Sequence, residues 1–215
     1  MYNNLIVLIS GRGSNLEALC KAGLAPYIKA VISNNNQATG LEIAAQHAIL
    51  THIIDHRKYQ SREAFDTAIA ACIDAYKPDL IVLAGFMRIL GQDFVIHYKN
   101  RIINIHPSIL PAFIGANAQE DALNTKVKVS GATVHLVSDT VDAGAIIAQG
   151  IVPVLAEDTR DALAARILEL EHVIYPFVIK KFLANQVSIT GNQVSIISAD
   201  SDKTLLGKFY PHIYY

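Results

Sequence analysis

The feature that most constrains this chain is a rhythm in its first half, where short apolar runs alternate with stretches of helical periodicity. Residues 5–9, 29–32, 51–54, 80–84 and 101–105 read as strands, and residues 16–20, 41–47 and about 62–76 as helices between them. Apolar strands separated by helices cannot form a meander with one wet face. They argue for a parallel sheet covered on both sides. The character changes after His106. Residues 127–137 and 145–154 read as two strands of mixed pattern around a polar turn at 139–144. A long helix follows over about 159–183, with Leu163, Ile167, Leu170, Ile174 and Val178 on one stripe. Pro176 removes one backbone donor from that helix and is expected to kink it.

The expected fold is α/β: a Rossmann-like, mostly parallel twisted sheet with helices on both faces and antiparallel strands toward the C-terminal part. A single domain is expected over 1–185, divided near residue 100. A C-terminal extension over 186–215 would hold a hairpin, Val187-Ser188-Ile189 against Val194-Ser195-Ile196, turning at Gly191-Asn192. The aromatic end from Phe209 to Tyr215 is expected to pack on the domain or to meet another subunit.

Composition removes several classes. Hydrophobic residues make up 52% of the 215 and charged ones 17%, whereas soluble chains average about 25% charged, so a core-rich sequence and not a disordered one is indicated. Eighteen Lys and Arg against nineteen Asp and Glu leave a net charge of -1. That gives no basic field for a general nucleic-acid partner. Cys20 and Cys72 form no CxxC pair and read as buried thiols of a reducing compartment. Met1-Tyr2-Asn3-Asn4 lacks the positive region of a signal peptide, and no run approaches the roughly 20 apolar residues of a membrane span. A cytoplasmic protein with no membrane or nucleic-acid partner is expected.

Five places carry chemistry. Ser10-Gly11-Arg12-Gly13-Ser14-Asn15-Leu16 joins the first strand to the first helix, where glycines permit tight turns and free N–H groups attract an anion. Ser14 and Glu17 also match a capping box, which needs no ligand. Leu16 stands where a dinucleotide fingerprint needs glycine, and Ser33-Asn34-Asn35-Asn36 replaces its acidic residue, so a phosphate monoester fits better than a dinucleotide. Asn104 and His106 share one strand face, about 7 Å apart, and Pro107 ends the strand beside them. The turn Ser138-Asp139-Thr140-Val141-Asp142-Ala143-Gly144 is either ordinary turn chemistry or a device that folds Asp142 onto His106, where a carboxylate favours an imidazolium; spacing leaves both open. Glu171 lies inside the apolar stripe and either binds hydroxyls or a cation, or reaches out to water. Arg62 opposes the dipole at a helix start, which hints at an anionic ligand beside the plainer reading of a solvated surface residue. His47, His52, Asp55 and His56 fit no compact metal-ligand pattern, so no metal is expected.

Together these segments resemble the folate-dependent phosphoribosylglycinamide formyltransferases. The resemblance rests on Gly11-Arg12-Gly13-Ser14-Asn15-Leu16, Leu83-Ala84-Gly85-Phe86-Met87-Arg88-Ile89-Leu90 and Asn104-Ile105-His106-Pro107-Ser108-Ile109-Leu110-Pro111. It continues through Gly131-Ala132-Thr133-Val134-His135, Asp142-Ala143-Gly144 and Glu171-His172-Val173-Ile174-Tyr175-Pro176, covering about residues 5–184. It implies that formyl passes from 10-formyltetrahydrofolate, a co-substrate, to the amine of phosphoribosylglycinamide. Carried over by position, Gly13, Ser14 and Asn15 hold the substrate phosphate and Glu171 its ribose. Arg62, Met87, Arg88, Ile89, Leu90, Asn104 and the loop Ser138, Asp139, Thr140, Val141 and Asp142 face the folate. Asn104, His106 and Asp142 form the catalytic set. Residues Ala112 to Gln119 depart from the family pattern, where many relatives carry Lys or Pro before the glycine and His in place of Asn117 or Gln119. Sister activities are formylation of initiator methionyl-tRNA and hydrolysis of formyltetrahydrofolate; a non-catalytic folate or nucleotide binder is a rival of another class. Monomer and homodimer both stay open.

Overall fold

Strands built from leucine, isoleucine and valine on both faces need cover on both faces. The computed structural model, which describes residues 2–209 and 212–215, supplies it in a chain of two compact units, Met1–Asn104 and Ile105–Tyr215. The first unit runs β1 (Leu5–Ile9), α1 (Ser14–Lys21), β2 (Ile28–Ser33), α2 (Gly40–Gln46), β3 (Leu50–Ile53), α3 (Arg62–Asp74), β4 (Leu80–Leu83), α4 (Gln92–His97) and β5 (Ile102–His106), whose last two residues open the second unit. Its strands lie in the order β3-β2-β1-β4-β5, each pair parallel. Every residue of β1 and β4 is buried, so neither face of the central strands meets water. The parallel sheet read from the alternation is present.

The helices follow their sequence signals. Ser61 caps α3 by accepting from the Ala64 N–H at 3.2 Å, and Phe65, Ile69 and Ile73 form its buried face. Full burial of the Phe65 side chain contributes about 1.5–3 kcal/mol. The helix stops at Asp74, two residues earlier than its periodicity suggests, because Lys77 turns left-handed (φ 48°) before Pro78. Cys20 is buried as expected, while Cys72 on α3 is only partly covered.

The second unit is antiparallel. β6 (Val129–Leu136) and β7 (Ile146–Pro153) form a long hairpin, and β10 (Ile213–Tyr214) adds antiparallel to β7. Preceding the hairpin is α5 (Ala118–Asn124), which the sequence reading missed: its buried face is only Ala118 and Ala122, too small to register as an apolar stripe. α6 (Arg160–Leu183) continues through Pro176 as one element, with Thr159 capping it through the Ala162 N–H. The extension forms the hairpin β8 (Val187–Thr190) and β9 (Gln193–Ile196) on the residues expected, then α7 (Ser201–Leu206). Of the aromatic end, Tyr210 and Pro211 lie outside the described residues; Ile213 pairs with Gly150, and the Tyr215 ring packs tilted at 59° against Phe177, with centroids 5.0 Å apart. α6 presses directly on sheet backbone at Gly150, where an added Cβ would stand 2.6 Å from a Leu170 methyl.

Candidate active site

In the first unit, the chain leaving β1 turns through Ser10 to Gly13 into α1. Gly13 sits left-handed (φ 77°), and a Cβ there would fall 2.5 Å from the Gly40 Cα, so two backbones touch where only glycine fits. The Gly40 N–H donates to the Gly11 carbonyl at 3.1 Å and fixes the loop against α2. The capping box that Ser14 and Glu17 match in sequence, the alternative reading of this loop, is not formed. Gly13 is the cap residue, Ser14 is already helical, and the Glu17 N–H donates to the Gly13 carbonyl at 2.9 Å. The left-handed glycine starts the helix one residue early and leaves the Ser14 hydroxyl without a capping role. What remains is a helix start, whose positive dipole end favours an anion. Asn15 is buried within it.

A second segment of this unit follows β4. The Met87 N–H donates to Ser10 Oγ at 2.8 Å, and Ser10 Oγ donates to Asn34 Oδ1 at 2.6 Å, so the loop after β1 and the loop after β4 are tied to one hydroxyl. Met87 and Ile89 are 76% and 58% exposed, an apolar surface held open to solvent by polar anchors beneath it. Arg62 begins α3 as expected, half-exposed, with its Nε 3.8 Å from where a Gly91 Cβ would stand. The structure therefore brings Arg62 beside the end of the 87–91 segment.

In the second unit, His106 ends β5 and is 5% exposed. Its Nε2 lies 2.9 Å from the Phe113 carbonyl, which can only accept, so Nε2 carries a proton. Its Nδ1 lies 3.4 Å from Asp142 Oδ2. The turn holding Asp142 is therefore more than turn chemistry: Asp142, left-handed at φ 53°, folds its carboxylate onto His106 and accepts the Gly115 N–H at 3.1 Å. Asn104 stands two residues before His106 on β5. Ser138, Asp139, Thr140 and Val141 form the outer part of the turn, where Ser138 Oγ donates to the Thr140 carbonyl at 2.9 Å. Glu171 on α6 is 7% exposed, which rules out the reading in which it reaches water.

Sequence reasoning assigned no role to His135. It is 2% exposed, its Nε2 lies 3.7 Å from Asp142 Oδ1 and its Nδ1 2.9 Å from the Leu136 carbonyl. Burial holds its imidazole below the usual histidine range. The missed signal was the period of two in β6, which puts Thr133 and His135 on one face. Thr133 Oγ1 donates to the Ser108 carbonyl at 2.7 Å and accepts the Leu110 N–H at 3.0 Å, which fixes the segment after His106. The departures at Ala112 to Gln119 matter little to this cluster. Its contacts from that loop are main-chain groups, the Phe113 carbonyl and the Gly115 amide.

The chain belongs to the formyl transferase family, whose model matches residues 3–179. It is 45% identical over 193 residues to the phosphoribosylglycinamide formyltransferase of Escherichia coli, covering 88% of this chain and 91% of that one. It is 44% identical over 190 residues to the human trifunctional purine biosynthetic protein adenosine-3, of which it spans 19%. Among solved structures, the Coxiella burnetii phosphoribosylglycinamide formyltransferase superposes with a TM-score of 0.86 at 46% identity, covering 91% of this chain and 94% of that one. A formyltetrahydrofolate deformylase from Pseudomonas syringae shares the fold (TM-score 0.84) at 25% identity, with 67% of its own chain covered. Among the described residues no helix is long and apolar enough to cross a membrane.

Proposed function

We propose that the chain transfers the formyl group of 10-formyltetrahydrofolate to the amine of phosphoribosylglycinamide, in the cytoplasm. The Escherichia coli relative and the Coxiella burnetii structure carry that activity in their names. The observation that carries the mechanism is the buried pair His106–Asp142 at 3.4 Å, at the carboxyl end of the strand that also bears Asn104. The substrate amine is itself the nucleophile, so no covalent enzyme intermediate is needed. It attacks the formyl carbon, and the carbonyl oxygen becomes an oxyanion stabilised by the Asn104 amide and a protonated His106. Collapse breaks the bond to N10, which takes up a proton supplied or relayed through His106, while the amine gives one up. Asp142 orients the imidazole and balances its charge. Gly13, Ser14 and Asn15 hold the phosphate, Glu171 accepts from the ribose hydroxyls, and the exposed face of Met87 and Ile89 receives the folate with Arg88, Leu90, Arg62 and the 138–142 turn. The fixed partners are thus two small molecules.

One assay tests this. Purified protein is mixed with both substrates, and tetrahydrofolate and formylated nucleotide are followed together. Equal appearance of both supports the transfer; tetrahydrofolate with formate and no formylated nucleotide moves the reading to the deformylase chemistry of the P. syringae neighbour. His106→Ala should lower kcat by at least about 100-fold, the usual cost of one lost oxyanion donor.

A further inference from the structure

The 87–91 segment is fastened at both ends by side chains from beneath. At its start the Met87 N–H donates to Ser10 Oγ at 2.8 Å, and at its end the Gly91 N–H donates to Asp66 Oδ2 at 2.6 Å. Asp66 is an odd residue for the buried face of α3, where it sits beside Phe65, Ile69 and Ile73 and is 6% exposed. A buried carboxylate costs several kcal/mol unless its oxygens are partnered. Only one of them is, since Asp66 Oδ1 is buried without a hydrogen-bond partner. Arg88 Nε is buried without a partner as well, and the Arg88 guanidinium lies close enough to act electrostatically on Asp66. Gly91 is fitted against the carboxylate, for a Cβ there would stand 2.8 Å from Asp66 Oδ2. One unpartnered carboxylate oxygen, on α3, and one unpartnered guanidinium nitrogen, on the 87–91 segment, thus lie within electrostatic reach of each other.

We propose that Asp66 is the positioning residue of the folate-facing segment: Oδ2 pins the segment's end through Gly91, and Oδ1 takes the Arg88 guanidinium when folate presses the segment down. This rests on the reading that residues 87–90 face folate. Asp66 touches no substrate; it acts through Gly91 and Arg88. The charged groups around it are Arg62 and Glu63 on α3, Arg88 on the segment itself and Asp93 on α4, with Asp74 and His97 lining the same cavity of about 550 Å³. Burial pushes the Asp66 carboxyl above its usual range, against the pull of the Gly91 N–H and the two guanidiniums. Its anion is therefore lost on acidification earlier than that of an ordinary carboxylate.

Asp66→Asn keeps an oxygen for Gly91 and removes the charge; Asp66→Ala removes both. The asparagine variant should raise the KM for 10-formyltetrahydrofolate about tenfold, the equivalent of about 1.4 kcal/mol, with kcat and the nucleotide KM within about twofold. Wild-type folate KM should rise as pH falls through the raised carboxyl range, and the asparagine profile should be flat there. Exchange of the Gly91 amide with solvent should quicken in the alanine variant and stay near wild type in the asparagine one. An unchanged folate KM in Asp66→Asn, or equal losses for both substrates, overturns the proposal while the activity stands. Absence of transfer by the wild type overturns the proposed activity, and the exchange experiment then decides on Asp66 alone: unchanged Gly91 exchange in Asp66→Ala removes its role.

Discussion

The two units build their functional surfaces from different materials. In Met1–Asn104 the work falls largely to backbone and neutral groups: a left-handed glycine, helix N–H groups and one serine hydroxyl joining two loops, with charge entering through Arg12 of the loop and through Arg62, Asp66 and Arg88. In Ile105–Tyr215 a histidine, an aspartate and a second histidine stand within 3.4 and 3.7 Å, and the backbone merely supplies acceptors and one donor. Backbone groups hold a fixed charge distribution at any pH, and they lose function only when their geometry is broken. Titratable side chains change with pH and can be removed singly without moving the chain. The contrast suits the proposed division, with phosphate binding on the first kind of surface and proton movement on the second.

The comparison is broken most decisively at Asp142. Asp142→Ala should lower kcat about 100- to 1000-fold, far more than it raises the folate KM; a comparable rise in KM with normal kcat would confine Asp142 to binding. Next in size, Gly13→Ala should do the opposite. A side chain at φ 77° against Gly40 strains the loop by about 1–3 kcal/mol, so the melting temperature should fall and the nucleotide KM should rise, leaving kcat for bound substrates near wild type. Steady-state kinetics with each substrate varied separate the two outcomes. A smaller effect should appear in stability against pH. His135 is held below its ordinary 6.5 by burial, so the unfolded chain takes up its proton first. Stability from this residue is complete above about pH 6.5 and is lost as pH falls toward the depressed folded value. Melting curves between pH 8 and 5 should show that slope, and His135→Gln should flatten it. Smallest is the Asp158–Arg166 pair of the second unit, where two hydrogen bonds from Arg166, at 2.7 and 2.8 Å, hold the Asp158 carboxyl at about 2. Its contribution is present above the ordinary carboxylate range and disappears only on strong acidification. Arg166→Ala should change the acid limb of the melting profile slightly and the kinetics not at all.

Much of this was legible in the residues. The parallel half announces itself because fully buried strands must be apolar throughout, as in Leu5–Ile9 and Leu80–Leu83, and the tail hairpin because Gly191-Asn192 suits a two-residue turn. α4 and α5 were not legible: at six and seven residues, with two buried side chains apiece, they carry too few apolar contacts to leave a period. The capping box failed because the conformation of Gly13 outranks the preference of Ser14. Spacing could not show that Asp142 folds onto His106, since nothing local fixes a left-handed aspartate in an exposed turn. Asp66 was invisible for a related reason. A carboxylate in a helix looks like surface until the residue it holds, 25 positions away, is known.

The bare spot at Gly150 links sheet packing to the placement of Glu171. Leu170 rests there on naked backbone, and the next residue along α6 is the buried Glu171. One extra methyl at position 150 would lift the helix locally and drag that carboxylate with it. On the role proposed for Glu171, a substitution on a strand 21 residues before it would then register as a higher nucleotide KM.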